Sequence, residues 1–404
     1  GGWKFESPIQ SVRSSPDGRM LVTACRELRL WDVATHQSWN PVDEEHVEFW
    51  HATFSPDGAT LATAGHEGRV NVFDARRLPH RELLLDRDVY LPSFRYLPGG
   101  GLCVLTHVAT PRVDAGIRWD LEIHERTREG RRPVFRQRAA ESPGALAVSP
   151  DGRLIAAAVF RAPRPPDYFC EVKVIERDSG REVARWVYDL ATAQSLAFSH
   201  DSKFLVGTIA PLDRPRAAEL KIWDLLSKGE QTAATSGKDG DFRKLALSSD
   251  GRLMAFNREA TIEVVDFNSR KTLYTLPNAA GYPGCLAFSP DSRLLACAAG
   301  SIALYEAHDG TLVTEFSTPF ECADVVSFSP DGGRLVAASG KDWAPALYDV
   351  ASGSQLMRLP SIRADAVGFR TIAFSPDGRE VAGATRNPAN HLGNLVVWHG
   401  RPEE

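Results

Sequence analysis

The feature that most constrains this 404-residue chain is a short turn that recurs from one end to the other. Ser15-Pro16-Asp17-Gly18, Ser55-Pro56-Asp57-Gly58, Ser149-Pro150-Asp151-Gly152, Ser329-Pro330-Asp331-Gly332 and Ser375-Pro376-Asp377-Gly378 are near-perfect copies, and Ser289-Pro290-Asp291 keeps the first three residues. Leu97-Pro98-Gly99-Gly100, Ser199-His200-Asp201-Ser202 and Ser248-Ser249-Asp250-Gly251 are degraded copies. Successive copies lie about 40 to 52 residues apart. The proline presets φ at the second position of a type I turn, aspartate suits the third and glycine the fourth.

The residues around each turn read as strands. Before it, large and small side chains alternate: Leu286 and Phe288 flank Ala287, Leu146 and Val148 flank Ala147, and Ile372 and Phe374 flank Ala373. Alternate residues of a strand face opposite ways, so a small residue on one side lets two sheets approach closely. After the turn comes a second apolar run, such as Leu154-Ile155-Ala156-Ala157 or Leu294-Leu295-Ala296-Cys297. A third strand ends in an apolar or aromatic residue followed by an acid, as in Trp31-Asp32, Phe73-Asp74, Trp223-Asp224, Val265-Asp266, Tyr305-Glu306 and Tyr348-Asp349. In the third unit Trp119-Asp120 imitates this pair, but the alignment puts Trp119 at the start of the strand and its end at His124-Glu125. A fourth, weaker strand follows, such as Thr311–Phe316. Four strands per unit at this period predict an all-β fold, a single closed propeller of four-stranded antiparallel blades. Nine copies give nine blades, with eight as the alternative if unit three or five does not form fully.

These units resemble WD40 repeats, especially the plain bacterial form with Phe-Ser-Pro-Asp-Gly turns, along essentially the whole chain; TolB-like propellers share the Ser-Pro-Asp-Gly turn. The Gly-His dipeptide that opens many WD40 repeats is missing, so the family's Asp-His-Ser-Trp tetrad is not carried over and apolar packing is expected to hold the blades together. The resemblance implies one domain over 1–404 and a non-catalytic scaffold or sensor that binds a protein or peptide.

The ninth unit ends after its third strand, Leu395-Val396-Val397-Trp398. Trp3 and Phe5 lie on one face at strand spacing, so residues 2–6 are expected to add the missing outer strand of that unit. Such closure removes an exposed edge.

Composition excludes several alternatives. Charged residues make up 25% and the net charge is -5, so no bulk basic charge points to nucleic acid. No apolar run is long enough to span a bilayer, and no signal peptide is seen. The six cysteines contain no Cys-x-x-Cys, so buried free thiols and a reducing, cytoplasmic compartment are expected. No cofactor is implied. Gly1-Gly2 reads as a cloning scar or a domain cut point, and the chain as monomeric or part of a larger multidomain protein.

Units one and two, roughly residues 8–90, and six to eight, roughly 241–360, are compact. Units three to five, roughly 91–236, are expanded between the second and third strands, over His107–Gly116, Phe160–Cys170 and Ile209–Ala218. Unit nine expands the same connection over Arg386–Asn394. These connections share one face of a propeller, opposite the Ser-Pro-Asp-Gly turns, and insertions on one face often mark the binding side. Arg and Tyr recur among binding hot spots. The candidate contacts are therefore Arg161, Arg164, Tyr168, Arg214 and Arg216, with Trp343 and His391 in support. Two other readings remain. The inner strands begin with Gln10, His51, Ser93, Gln194, Lys244, Asp324 and Arg370, a set too unlike for a metal ring, so a channel ligand or a hydrolase-type site needs another polar cluster. The Arg-rich stretch Arg126–Arg138 reads as an outer strand blunted by charge, with nucleic-acid binding as the alternative.

Overall fold

A computed structural model describes the chain from Ser11 to His399 apart from residues 25–27, 34–37, 40–48, 56–59, 66–69, 75–79, 84–88, 100, 112–116, 128–129, 138–141, 165–166, 213–216, 238–241, 243, 259–260, 278–284, 299, 320–322, 340–343, 360–367 and 386–394. Nine antiparallel sheets are present among the described residues, the number expected from the nine turns. In chain order they span 11–39, 49–74, 89–137, 142–189, 191–235, 245–277, 285–317, 325–358 and 369–399. Each is a meander of strands from the inside outward, and all have four strands except the second, which has three.

The recurring turn is a hydrogen-bonded clasp. In seven copies the serine hydroxyl donates to the aspartate Oδ1 at 2.5 to 2.7 Å. The same hydroxyl oxygen accepts the amide that opens the second strand, as from Leu294 to Ser289 at 2.9 Å. The carboxylate also accepts a backbone amide two residues on, as from Arg293 to Asp291 at 3.1 Å. The fourth position is left-handed, at φ 72° for Gly332, and Ser292 adopts it at 61° where the glycine is missing. The acid that ends the third strand caps the next turn: Asp224, Asp266 and Asp349 accept the amides of Ser227, Ser269 and Ser352 at 3.1, 2.7 and 2.8 Å. In sheet three the strand Ile117–Thr127 runs two residues past the expected end at His124-Glu125, with Trp119 near its start as expected.

One packing rule joins the sheets. Each presents a forward face rich in alanine to the backward face of its successor, which carries the larger residues flanking that alanine. Ala296, Ala298, Ile302 and Leu304 of sheet seven thus bury against Val326, Phe328, Leu335 and Tyr348 of sheet eight. Equivalent apolar clusters join sheets one to two and every consecutive pair from three to nine. The packing that the absent Gly-His tetrad left to apolar contact is found in these clusters.

The circuit closes in an unexpected place. The forward face of sheet nine, with Ala382, Ala384, Leu395 and Val397, packs on Phe94, Leu102 and Val104 of sheet three. The outer edge of sheet nine pairs with His80–Leu83, in register Val396 to Leu83 and His399 to His80. Residues 2–6, expected at this edge, lie outside the described residues, and the strand paired there comes from the segment after sheet two. Its departure leaves sheet two with three strands. Sheets three to nine therefore form a ring of seven, within the usual range of four to eight blades, where a ring through all nine was expected. Sheets one and two pack on each other beside it.

Candidate functional site

Sequence expansion of units three and four becomes hairpin extension, whereas in unit five the second and third strands stop pairing at Ile209 and Glu219. In sheet three the second and third strands stay paired to Pro111 and Ile117. In sheet four they stay paired to Arg164 and Asp167, whereas the inner strand stops pairing at Phe160. Arg161 and Arg164 thus stand on a strand that continues about 13 Å past its inner neighbour, at roughly 3.3 Å per residue. Both hairpin tips lie at the strand ends opposite the serine-aspartate turns, the face expected from connectivity.

Tyr168 is half-buried rather than exposed, because its ring stacks on Phe160 at 5.8 Å between centroids and 10° between planes. The two residues are diagonal neighbours on one face of the hairpin, a distance aromatic rings bridge. Its carbonyl accepts the amide of Leu190 at 2.6 Å, and the carbonyl of Leu190 accepts the amide of Leu212 at 2.7 Å. Leu190 therefore ties the hairpin of sheet four to the end of the second strand of sheet five, and holds a left-handed φ of 50° to do so. Such a conformation is uncommon for a branched apolar residue and persists only where its surroundings enforce it. Leu212 is half exposed beside it. Arg214, Arg216, Trp343 and His391 lie outside the described residues, as do the side chains of Arg161 and Arg164. Sequence reasoning missed Phe160, Leu190 and Leu212, since no glycine or asparagine marks position 190.

The sheets beneath carry ion pairs around two buried lysines. Lys173 lies 3.5 Å from Glu171 and 3.1 Å from Glu182, and Lys221 lies 2.8 Å from Glu219 and 3.4 Å from Glu230. Tyr188 of sheet four donates to Glu230 of sheet five at 2.6 Å and accepts the indole Nε1–H of Trp223 at 2.7 Å. Burial, then the Glu230 carboxylate, push the Tyr188 phenol well above its ordinary range.

The other candidate regions make contacts within the fold. Arg132 bonds Glu125 at 2.9 Å and Arg136 approaches Glu122 at 3.5 Å, so two arginines of the outer strand Gly130–Gln137 pair with acids of their own sheet. At the channel, Lys244 donates its amide to Asn257 Oδ1 at 2.7 Å. Its ammonium reaches the Asp324 carbonyl at 3.5 Å. Among the described residues no three His, Cys, Asp or Glu converge as a metal site. Cys103, Cys170 and Cys297 are free thiols that burial pushes up to about 12, unsuited to nucleophilic chemistry. No helix is long and apolar enough to cross a membrane among the described residues.

Residues 40–74 match the model of the WD domain, G-beta repeat. Over 148 residues the chain is 29% identical to Protein groucho of Drosophila melanogaster, a match covering 34% of this chain and 20% of that protein. It is also 29% identical over 148 residues to the uncharacterized WD repeat-containing protein sll1491 of Synechocystis, covering 36% of this chain and 41% of that one. The matches thus span less than half the length of these curated relatives. Among solved structures, the Cps50 (Swd1) β-propeller domain of Myceliophteria thermophila matches with a TM-score of 0.60 at 13% identity, covering 80% of this chain and 99% of that domain. The span from His80 to His399 is itself about four-fifths of the sequence. Repeat chemistry, relatives and architecture agree: the chain has a β-propeller architecture and is similar to WD40-repeat proteins, with one repeat matched by the family model.

Proposed function

We propose that this chain is a non-catalytic interaction platform, without a cofactor, that binds a protein or peptide in the cytoplasm. The contact surface is the hairpin face of sheets three to five. The observation that carries this reading is the tie through Leu190, which fixes the extended hairpin of sheet four to the end of the second strand of sheet five. A binding surface held in shape loses less freedom on association. Arg161, Arg164, Arg214 and Arg216 supply fork-shaped donors for carboxylates of the partner. Tyr168 and Phe160 supply an aromatic platform, with Trp343 and His391 flanking the same face. Fold alone does not assign a function, and the argument here rests on that face.

The test is affinity capture from the native host, comparing the unaltered chain with the fourfold variant Arg161→Ala, Arg164→Ala, Arg214→Ala and Arg216→Ala. The same proteins recovered in equal amount by both would overturn the reading. Their loss from the variant, at an unchanged melting temperature, would support it.

A further inference from the structure

The strand His80–Leu83 completes sheet nine, yet its spacing in the chain is that of the fourth strand of sheet two. In sheets one and four to eight the fourth strand opens six residues after the acid that ends the third, as from Asp266 to Thr272, Glu306 to Leu312 and Asp349 to Gln355. Asp74 ends the third strand of sheet two and stands six residues before His80. The ladder carries a second sign. In every sheet from three to eight the fourth strand meets the third with one register shift, such as that between Leu304 and Tyr305. Such a bulge places an extra residue on one strand and increases the local twist. His80–Leu83 runs against Val396–His399 through four consecutive pairs without one. Sheet two meanwhile ends at Val70–Asp74, to which no further strand is paired among the described residues. The outer strand of sheet one, Ser38–Trp39, lies against His80–Leu83, so the strand is also adjacent to the pair formed by sheets one and two.

We propose that His80–Leu83 is an exchangeable strap: paired with Leu395–His399 it closes the ring, and paired with Val70–Asp74 it completes sheet two and leaves the outer edge of sheet nine open. The register of the second pairing follows from the other hairpins. In sheet seven Tyr305 pairs with Leu312, Leu304 with Thr314 and Ala303 with Glu315, and sheets four, six and eight take the same step. The matching pairs in sheet two are Phe73 with His80, Val72 with Glu82 and Asn71 with Leu83. Leu83 thus stands opposite Val396 in one pairing and Asn71 in the other. Each pairing satisfies the backbone groups of the strap by a ladder of similar length. The pairing with sheet two closes a short loop and costs less chain entropy, whereas the pairing with sheet nine closes a loop of about three hundred residues and removes an open edge. Two arrangements balanced in this way exchange, with a minor population of about 0.1–10%. The packing of Ala382 and Ala384 on Phe94 and Val104 joins sheets nine and three at the same place and holds the ring when the strap leaves. The vacated edge is a template for an added strand. The strap is therefore a switch between a sealed ring and one with an edge free to pair, and it does not depend on the hairpin face.

The test traps each pairing with a disulfide in the full chain. Leu83→Cys with Val396→Cys reports the pairing with sheet nine, and Leu83→Cys with Asn71→Cys the pairing with sheet two. Residues directly opposite in antiparallel strands lie within disulfide reach. Both variants are oxidised mildly in the folded state and mapped by peptide mass spectrometry, with Leu83→Cys alone as the control against the native thiols. Circular dichroism melting of the reduced variants checks that they fold. Both disulfides are expected, the one with sheet two forming more slowly but to completion, since each visit is trapped. In the chain locked between 71 and 83, the amides of Leu395–His399 that face the strap should exchange with deuterium about tenfold faster or more, and reduction should restore their protection. Failure of either disulfide to form overturns the proposal. So does a cross-link between 71 and 83 that leaves those amides protected. So does one that forms no faster than a thiol reagent labels fully buried Cys103, because global unfolding would then be its source.

Discussion

Val396 pairs with Leu83 in an antiparallel ladder, although about three hundred residues separate them in the chain. Together with the packing of sheet nine on sheet three, this contact closes seven sheets into a ring. Of two consecutive residues in the paired strand, one directs its amide at the partner strand. The double substitution Arg81→Pro, Glu82→Pro therefore removes at least one ladder bond and cannot be evaded by a shift of register. The expected loss is about 1–3 kcal/mol, with unfolding of the ring broadened in a urea titration. A sharp transition at the original midpoint would show that the strand does not close the ring.

Gly383 lies under two aromatic rings of its own sheet. A Cβ there would lie 2.8 Å from the ring of Phe369 and 3.0 Å from that of Trp398. Both rings are almost completely buried and have nowhere to move. Gly383→Ala should cost about 1–3 kcal/mol by overpacking. Gly99→Ala, at a site with nothing within 4 Å, should be close to neutral. Melting of the two variants side by side checks the contrast.

The hydroxyl of Tyr188 serves sheets four and five at once, as acceptor for Trp223 and donor to Glu230. Tyr188→Phe keeps the ring and leaves the indole N–H of fully buried Trp223 without its acceptor. An unsatisfied buried donor costs about 1–3 kcal/mol. Chemical denaturation of this variant should show a drop of that size, and a drop below about half a kcal/mol would mean that water takes the place of the phenol.

The turn carboxylates make the fold sensitive to acid. Asp291, Asp331 and Asp377 are held below the ordinary aspartate range, first by the serine hydroxyls that donate to them and then by backbone amides. A lowered folded-state value means the unfolded chain binds protons more readily. The stabilisation is complete above the ordinary aspartate value of about 3.9 and is lost as pH falls through the lower folded values. Melting temperature should be flat with respect to these groups above about pH 5 and fall below about pH 4. The triple variant Asp291→Asn, Asp331→Asn, Asp377→Asn should melt lower at pH 7 and lose less on acidification. An acid profile as steep as that of the unaltered chain would place the sensitivity elsewhere.

Much of this architecture was legible because the turn is local. Ser289, Asp291 and the amide of Leu294 lie within six residues, so their clasp is written in a short string. The Leu286-Ala287-Phe288 alternation likewise declared which side of a strand meets which neighbour. The order of the circuit was not legible. Sheet two and sheet nine both offer small residues on their forward faces, Ala62 and Ala382, and the backward face of Phe94 and Val104 is fit for either. That choice is made by fit over the whole interface and by where His80–Leu83 pairs, neither of which a single turn reports. At the hairpin face, the proline and arginine content of 161–168 marked an expansion. It gave no sign that Phe160 and Tyr168 would stack or that Leu190 would adopt a left-handed backbone.

The pairing of His80–Leu83 with the last sheet also sets a schedule for synthesis. Residue 80 leaves the ribosome about 320 residues ahead of its partner, tens of seconds at ordinary elongation rates. For that interval the backward face of Phe94 and Val104 and a free strand edge are both bare. A nascent chain of this kind is therefore a natural client for chaperones, and slow codons near its 3′ end would prolong the hazard.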